Sequence, residues 1–214
     1  MVLSAPVLNA KCPDWRWIGL KSLAHALALR PLAILVRDVL ADAIGPDPVA
    51  AITHATGNWA LRILLVCLAL TPLRRLIGQP WPIRFRRLAG LYAFFYACLH
   101  LATYLVLDLG QFWTQILEDV IKRPYITVGF AAWLLLVPLA LTSTRGWMRR
   151  LGRRWMQLHR LVYAVGLLAV LHFLWLVKSD LREPLVYAAI LMVLLGPRLW
   201  WILRPGPAHP TRGA

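Results

Sequence analysis

Nineteen consecutive residues, 125–143 (YITVGFAAWLLLVPLALTS), carry no charged side chain. About 20 apolar residues in a helix cross the hydrocarbon of a bilayer, so this stretch suits a membrane better than the half-exposed surface of a soluble domain. Five further stretches of the same kind lie at 18–39, 57–72, 88–107, 157–177 and 184–203. Together they use most of the 214 residues and leave too little chain for an extramembrane domain of ordinary size. The expected fold is an all-α membrane protein, a six-helix transmembrane bundle over 18–203 between tails at 1–17 and 204–214. The first span is the most polar, with Lys21, Arg30, Arg37 and Asp38, and competes with an interfacial amphipathic helix. Leaving it out would put the two tails on opposite sides. The start, MVLSAPVLNAKCPDWRW, lacks the basic residues, apolar run and cleavage site of a secretory signal, so the chain is expected to be mature throughout.

A net charge of +15 in a soluble protein would point to nucleic acid, but here its placement explains it. The connections at 73–87 (Arg74, Arg75, Arg84, Arg86, Arg87) and 144–156 (Arg145, Arg149, Arg150, Arg153, Arg154) each hold five arginines and no acid. With Lys11, Arg16, Lys21, Arg198, Arg204 and Arg212 they put sixteen basic residues on one side. The opposite side has four, Lys122, Arg123, Lys178 and Arg182, and seven of the nine acids: Asp42, Asp47, Asp108, Glu118, Asp119, Asp180 and Glu183. Basic residues are retained in the cytoplasm, so both termini and both arginine loops are expected there, with the membrane rather than nucleic acid as the partner. Trp113, Trp147, Trp155, Trp200 and Trp201 near span ends fit an interfacial belt. Cys12, Cys67 and Cys98 make no CxxC or CxxCH motif, which removes structural zinc, covalent haem attachment and a disulfide framework.

Ionisable side chains inside a span are costly, which draws attention to the histidines. His100 lies seven residues before the outer end of span three and His172 five before that of span five. At about 1.5 Å per residue both sit roughly 8–11 Å inside the outer boundary. Two imidazoles at one depth on two helices suit the two axial positions of a haem iron, whereas zinc would need further ligands that this level lacks. His159, thirteen residues before His172, marks a second level about 20 Å nearer the cytoplasm and roughly 140° around an ideal helix. Gly166 is the expected place for any rewinding that would align the two. Any one of the three alone would be read as a core histidine bonded to a carbonyl.

Arg86 and Arg87, at the cytoplasmic mouth of span three, are candidates for haem propionates, a flavin phosphate or a quinone carbonyl, against the plainer role of facing headgroups. Arg62 is expected to snorkel or to hold a propionate. Arg30, beside Pro31, receives no role, and His54 in an outer loop and His209 in the tail receive no ligand assignment. Tyr92, Phe94, Phe95, Tyr96 and Trp175 are expected to be core packing around a large planar group.

The blocks TSTRGWMRRLGRRWMQLHRLVY (142–163), HFLWLVKS (172–179), RFRRLAGLYAFFYACLHLATY (84–104) and KRPYITVGF (122–130) resemble the MsrQ family. These are haem-binding inner-membrane subunits of bacterial methionine sulfoxide reductase systems, within the ferric-reductase-like transmembrane superfamily. The resemblance covers nearly the whole chain, and it implies one or two haems b held by His100, His159 and His172. It implies electron transfer from the quinone pool, or from a cytoplasmic flavin reductase, to a periplasmic MsrP-like molybdopterin subunit that repairs oxidised proteins. An FMN is implied as well, without a site. Ferric reductases and NADPH oxidases carry two histidines on each of two helices, and the fourth would fall near Arg86, in RFRRL. His25 is the candidate second ligand at the inner level, against a helix-packing role. The superfamily's FAD and NADPH domain is expected to be missing. The rival readings are a haem protein for metal or oxygen reduction and a cofactor-free scaffold or transporter.

Overall fold

A computed structural model describes residues 15–108, 118, 121–177 and 180–203, with the backbone alone over 197–203. Expectations for the tails at 1–14 and 204–214, for Trp113, Asp119 and Lys178, and for the side chains of Arg198, Trp200 and Trp201 fall outside the described residues. Among those described, every regular element is helical. The elements are α1 (Trp15–Leu40), α2 (Pro48–Ile77), a 3₁₀ turn (Trp81–Phe85), α3 (Arg86–Thr103) running into a π-helical turn (Tyr104–Asp108), α4 (Pro124–Leu141), the short α5 (Arg145–Leu151) and α6 (Arg153–Leu158), α7 (Leu161–Leu176) and α8 (Arg182–Leu203).

All six expected segments are helices, and three stretches are long and apolar enough to cross a membrane: 81–107, 124–141 and 153–176. The other three helices, α1, α2 and α8, have 26, 30 and 22 residues, which at 1.5 Å per residue gives about 39, 45 and 33 Å. Helix α2 starts nine residues before the expected span. The Asp47 carboxylate accepts the Ala50 N–H at 3.0 Å, Pro48 takes the first turn, where no N–H is needed, and Gly78 closes the far end at φ 71°. His54, expected in a loop, is therefore on a helix.

The most extensive helix pairings are α2 with α3 and α4 with α7. Leu61, Leu64, Leu65 and Leu68 of α2 meet Ala93 of α3, Ala132 and Leu136 of α4, and Val162, Val165 and Val170 of α7 in one core. The surface reverses the soluble pattern, since Leu134, Leu141, Leu167, Trp175, Met192 and Val193 are all exposed, as expected where lipid is the solvent. The second correction concerns Gly166. It lies inside an unbroken α7, and a β-carbon there would stand 3.2 Å from Leu191 and 3.4 Å from Leu68, so its role is close packing. The interruption between the histidines falls at His159–Arg160 instead, where α6 ends and α7 begins.

One tyrosine of α3 bonds the backbone of α1. Pro31 has no N–H and disrupts the ladder around it. The Tyr96 hydroxyl enters the gap, donating to the Ala28 carbonyl at 2.8 Å and accepting the Leu32 N–H at 3.2 Å. Tyr96 is 1% exposed, and this clamp, rather than packing around a planar group, accounts for it. Tyr96→Phe removes both hydrogen bonds to α1 and should cost about 1–2 kcal/mol. Thermal unfolding in detergent, with limited proteolysis of α1, measures it; an unchanged midpoint and cleavage rate would show that the clamp does not hold α1.

Candidate histidine site

His100 stands in the last turn of α3, where the helix relaxes into the π turn, and His172 in the last two turns of α7. The two rings meet with centroids 6.1 Å apart and planes crossed at 75°. In each, Nδ1 bonds a backbone carbonyl of the neighbouring helix: His100 to Thr53 of α2 at 2.9 Å, and His172 to Tyr125 of α4 at 2.7 Å. A carbonyl only accepts, so Nδ1 is the protonated nitrogen of the neutral ring, and the lone pair is left on Nε2. This is the usual outer hydrogen bond of a metal-ligating imidazole.

The spacing tests what the pair can hold. A metal–imidazole bond of about 2 Å plus about 1 Å to the ring centre puts two rings on opposite faces of one metal about 6 Å apart. The observed 6.1 Å meets that requirement. Among the described residues no group of three or more His, Cys, Asp or Glu side chains is placed for a metal ion. The donor set therefore suits a metal that brings its other ligands with it, and a bare ion such as zinc would be left short.

Each ring also lies on a glycine one helical turn past its carbonyl partner, His100 on Gly57 and His172 on Gly129. The carbonyl, glycine and histidine of the first set, Thr53, Gly57 and His100, recur 72 residues later as Tyr125, Gly129 and His172. Reading the histidines alone does not reveal either glycine.

His159 is set differently. Its Nδ1 bonds the Trp155 carbonyl on its own helix at 3.1 Å, and its ring stacks on the Trp155 indole at 3.9 Å. Its Nε2 is buried without a hydrogen-bond partner. Trp155, expected in an interfacial belt, is thus the platform for this ring, and its own N–H donates to the Thr142 carbonyl at 2.9 Å. Arg86 is half-buried and near enough to His159 for their charges to interact, while Arg87 is exposed. The expected pair of arginines is split accordingly. His25 turns to α3, with Nδ1 2.8 Å from the Tyr92 hydroxyl and the rings edge-on, which is the helix-packing role. Arg62 reaches α8, donating to Tyr187 at 2.7 Å and to Glu183 at 3.4 Å. Beside it, a cleft of about 540 Å³ is lined by His54, Asn58, Phe173, Asp180, Arg182 and Glu183.

Comparison with known proteins identifies the family. Residues 56–180 match the family model described as the ferric reductase like transmembrane component, a stretch that contains all three of His100, His159 and His172. A protein-methionine-sulfoxide reductase heme-binding subunit MsrQ from Xanthomonas axonopodis pv. citri is 66% identical over 189 residues, covering 86% of this chain and 87% of the relative. The protein of the same name from Ralstonia nicotianae is 50% identical over 181 residues, covering 83% of each. A bundle that pairs two imidazoles across α3 and α7, inside a matched ferric-reductase-like segment and with relatives of this identity over most of its length, belongs to the MsrQ family.

Proposed function

We propose that the chain is the b-type cytochrome subunit of a methionine sulfoxide reductase system in the bacterial inner membrane. In this reading it crosses six times with both termini cytoplasmic. It passes electrons from the quinone pool, or from a cytoplasmic flavin reductase, to a periplasmic molybdopterin subunit of MsrP type. The observation that carries the reading is the His100–His172 pair, two Nδ1-tethered rings at a spacing suited to one metal between them. The name of the relatives, a heme-binding subunit, supports it, and so does the concentration of arginine in the two loops at the opposite end.

Haem b, with four ring nitrogens of its own, supplies a one-electron iron couple whose potential follows its axial ligands and surroundings. The chain's residues hold and shield it. His100 and His172 furnish Nε2 lone pairs, and the Thr53 and Tyr125 carbonyls fix both tautomers and strengthen the nitrogens as donors. Core residues such as Phe173 and Val170 keep water out. At the inner level His159 offers one imidazole on its Trp155 platform, and Arg86, within electrostatic reach of it, supplies a fixed positive charge for a propionate, a phosphate or a quinone carbonyl. Exposed Arg87 is placed for the same acceptors at the aqueous boundary. Sulfoxide chemistry belongs to the partner.

A reduced-minus-oxidised absorption spectrum of the full chain, expressed with haem supplied, should show b-type bands; a folded chain without them would refute the cytochrome reading. His100→Ala and His172→Ala should each remove the same low-spin signal, and His25→Ala should leave it intact. Retention of the full signal in either of the first two variants would break the pairing.

The unpartnered Nε2 of His159 gives a separate expectation. An orphaned buried polar atom costs about 1–3 kcal/mol, so His159→Leu should leave the haem-free chain at least as stable as the wild type. Chemical or thermal unfolding decides it. A loss above about 2 kcal/mol would mean that the ring is retained for packing rather than as a ligand.

A further inference from the structure

We infer that Gly57 and Gly129 are positioning residues for His100 and His172, each keeping empty the volume a methyl group would fill so that an imidazole can lie against its helix. The inference rests on the reading of these histidines as axial ligands. A β-carbon at Gly129 would stand 2.7 Å from Nδ1, 2.9 Å from Cε1 and 3.1 Å from Cγ of His172. At Gly57 it would stand 3.0 Å from both Cε1 and Nδ1 of His100 and 3.6 Å from Cγ. Glycine within a helix is about 1 kcal/mol less favourable than alanine, so two of them in apolar helices call for a reason. The other helical glycines supply the contrast: a β-carbon would meet nothing at Gly19 or Gly196, an ordinary contact with Cys67 at Gly90, and the flexible ends of leucines at Gly166.

The rings cannot yield as those leucines can. Nδ1 of each is tied to a carbonyl, and each ring is committed on its other side to the shared gap with its partner. The carbonyl and the glycine form one device. In a helix the side chain at position i+4 leans back over the turn that carries the carbonyl of residue i. Glycine at 57 and 129 uncovers the carbonyls of Thr53 and Tyr125, whose second lone pair is then open to the imidazole N–H. With Nδ1 so tied, Nε2 of each ring keeps its lone pair for a ligand. The two seats are unequal, because three His172 atoms lie close to Gly129 whereas His100 has a few tenths of an ångström more room at Gly57.

The test uses the full chain carrying Gly57→Ala, Gly129→Ala or, as control, Gly90→Ala, with haem content, low-spin spectrum and thermal midpoint in detergent as readouts. Gly129→Ala should lose most of the low-spin signal of the His100–His172 centre, Gly57→Ala should lose less or shift it, and Gly90→Ala should match the wild type. The haem-free midpoint should fall in Gly129→Ala when His172 is present, and should not fall further when Gly129→Ala is added to His172→Ala. If Gly129→Ala alone does not fold, the double variant should recover. The inference is overturned by a wild-type haem signal in Gly129→Ala, or by the same loss of stability with and without the His172 ring. Were the wild-type chain to take up no haem, the cytochrome reading would fall, and the midpoint comparison would by itself uphold or overturn the role of the glycines.

Discussion

Two imidazole-to-carbonyl hydrogen bonds, His100 to Thr53 and His172 to Tyr125, tie the functional pair to the architecture. Each bond crosses one of the two most extensive helix pairings, α3 to α2 and α7 to α4. In an apolar interior such bonds lack competition from water, and leaving either partner unpaired is costly. The same contact therefore pins two helices together, selects a tautomer and aims Nε2. Because both hairpins do this at the same level, the rings arrive 6.1 Å apart without any residue bridging them directly. The gap follows from helix packing.

The rest of the polar chemistry obeys the same rule, that groups within the bundle find partners within the bundle. Pro138 in α4 is followed by Thr142 and Ser143, whose hydroxyls return to the carbonyls of Pro138 and Leu139 at 2.6 and 2.7 Å and so close the helix end. Pro31 in α1 is answered by Tyr96. Arg62 is held by the Tyr187 hydroxyl and Glu183 on α8. The ion pair is half exposed and contributes little by itself; the hydrogen bond to Tyr187 and the burial of that ring give the contact its place in the core. Against this background, the two buried atoms without partners, His159 Nε2 and Thr71 Oγ1, are exceptions among the described residues.

Much of this was legible in the sequence because a helix has a fixed rise. Counting residues from the span ends put His100 and His172 at one level, and the structure brings them into ring contact. Six apolar stretches became helices, though caps rather than hydropathy set the ends of α2, where Asp47, Pro48 and Gly78 extend it past the apolar run. What failed was anything that depends on which neighbour a side chain finds. Gly166 looked like a hinge and is a packing contact, because helices α2 and α8 both press on it. Counting along the chain likewise did not reveal that Trp155 carries His159 or that Arg62 bonds Tyr187. Depth is a one-dimensional property and can be counted along the chain, whereas azimuth requires the partner helices.

The offset of 72 residues that relates Thr53, Gly57 and His100 to Tyr125, Gly129 and His172 finds no fourth histidine opposite His159. Stepping back 72 or 73 residues from His159 reaches Arg87 or Arg86, within the first turn of α3. The structure leaves Arg87 exposed and brings Arg86 within electrostatic reach of the ring. A guanidinium stays protonated and offers five donors but no lone pair, so it cannot repeat at this level what His100 does opposite His172. The two levels must then differ in kind. One is a pair of imidazoles, each with Nδ1 tethered to a carbonyl and the ring against a glycine, the seat at Gly129 being the tighter. The other joins a single lone pair on a buried, unpartnered Nε2 to a positive charge suited to an anionic or carbonyl group. The bundle thus differs in kind at its two levels, two carbonyl-tethered imidazoles facing each other at one and a single imidazole on a tryptophan, with an arginine in electrostatic reach, at the other.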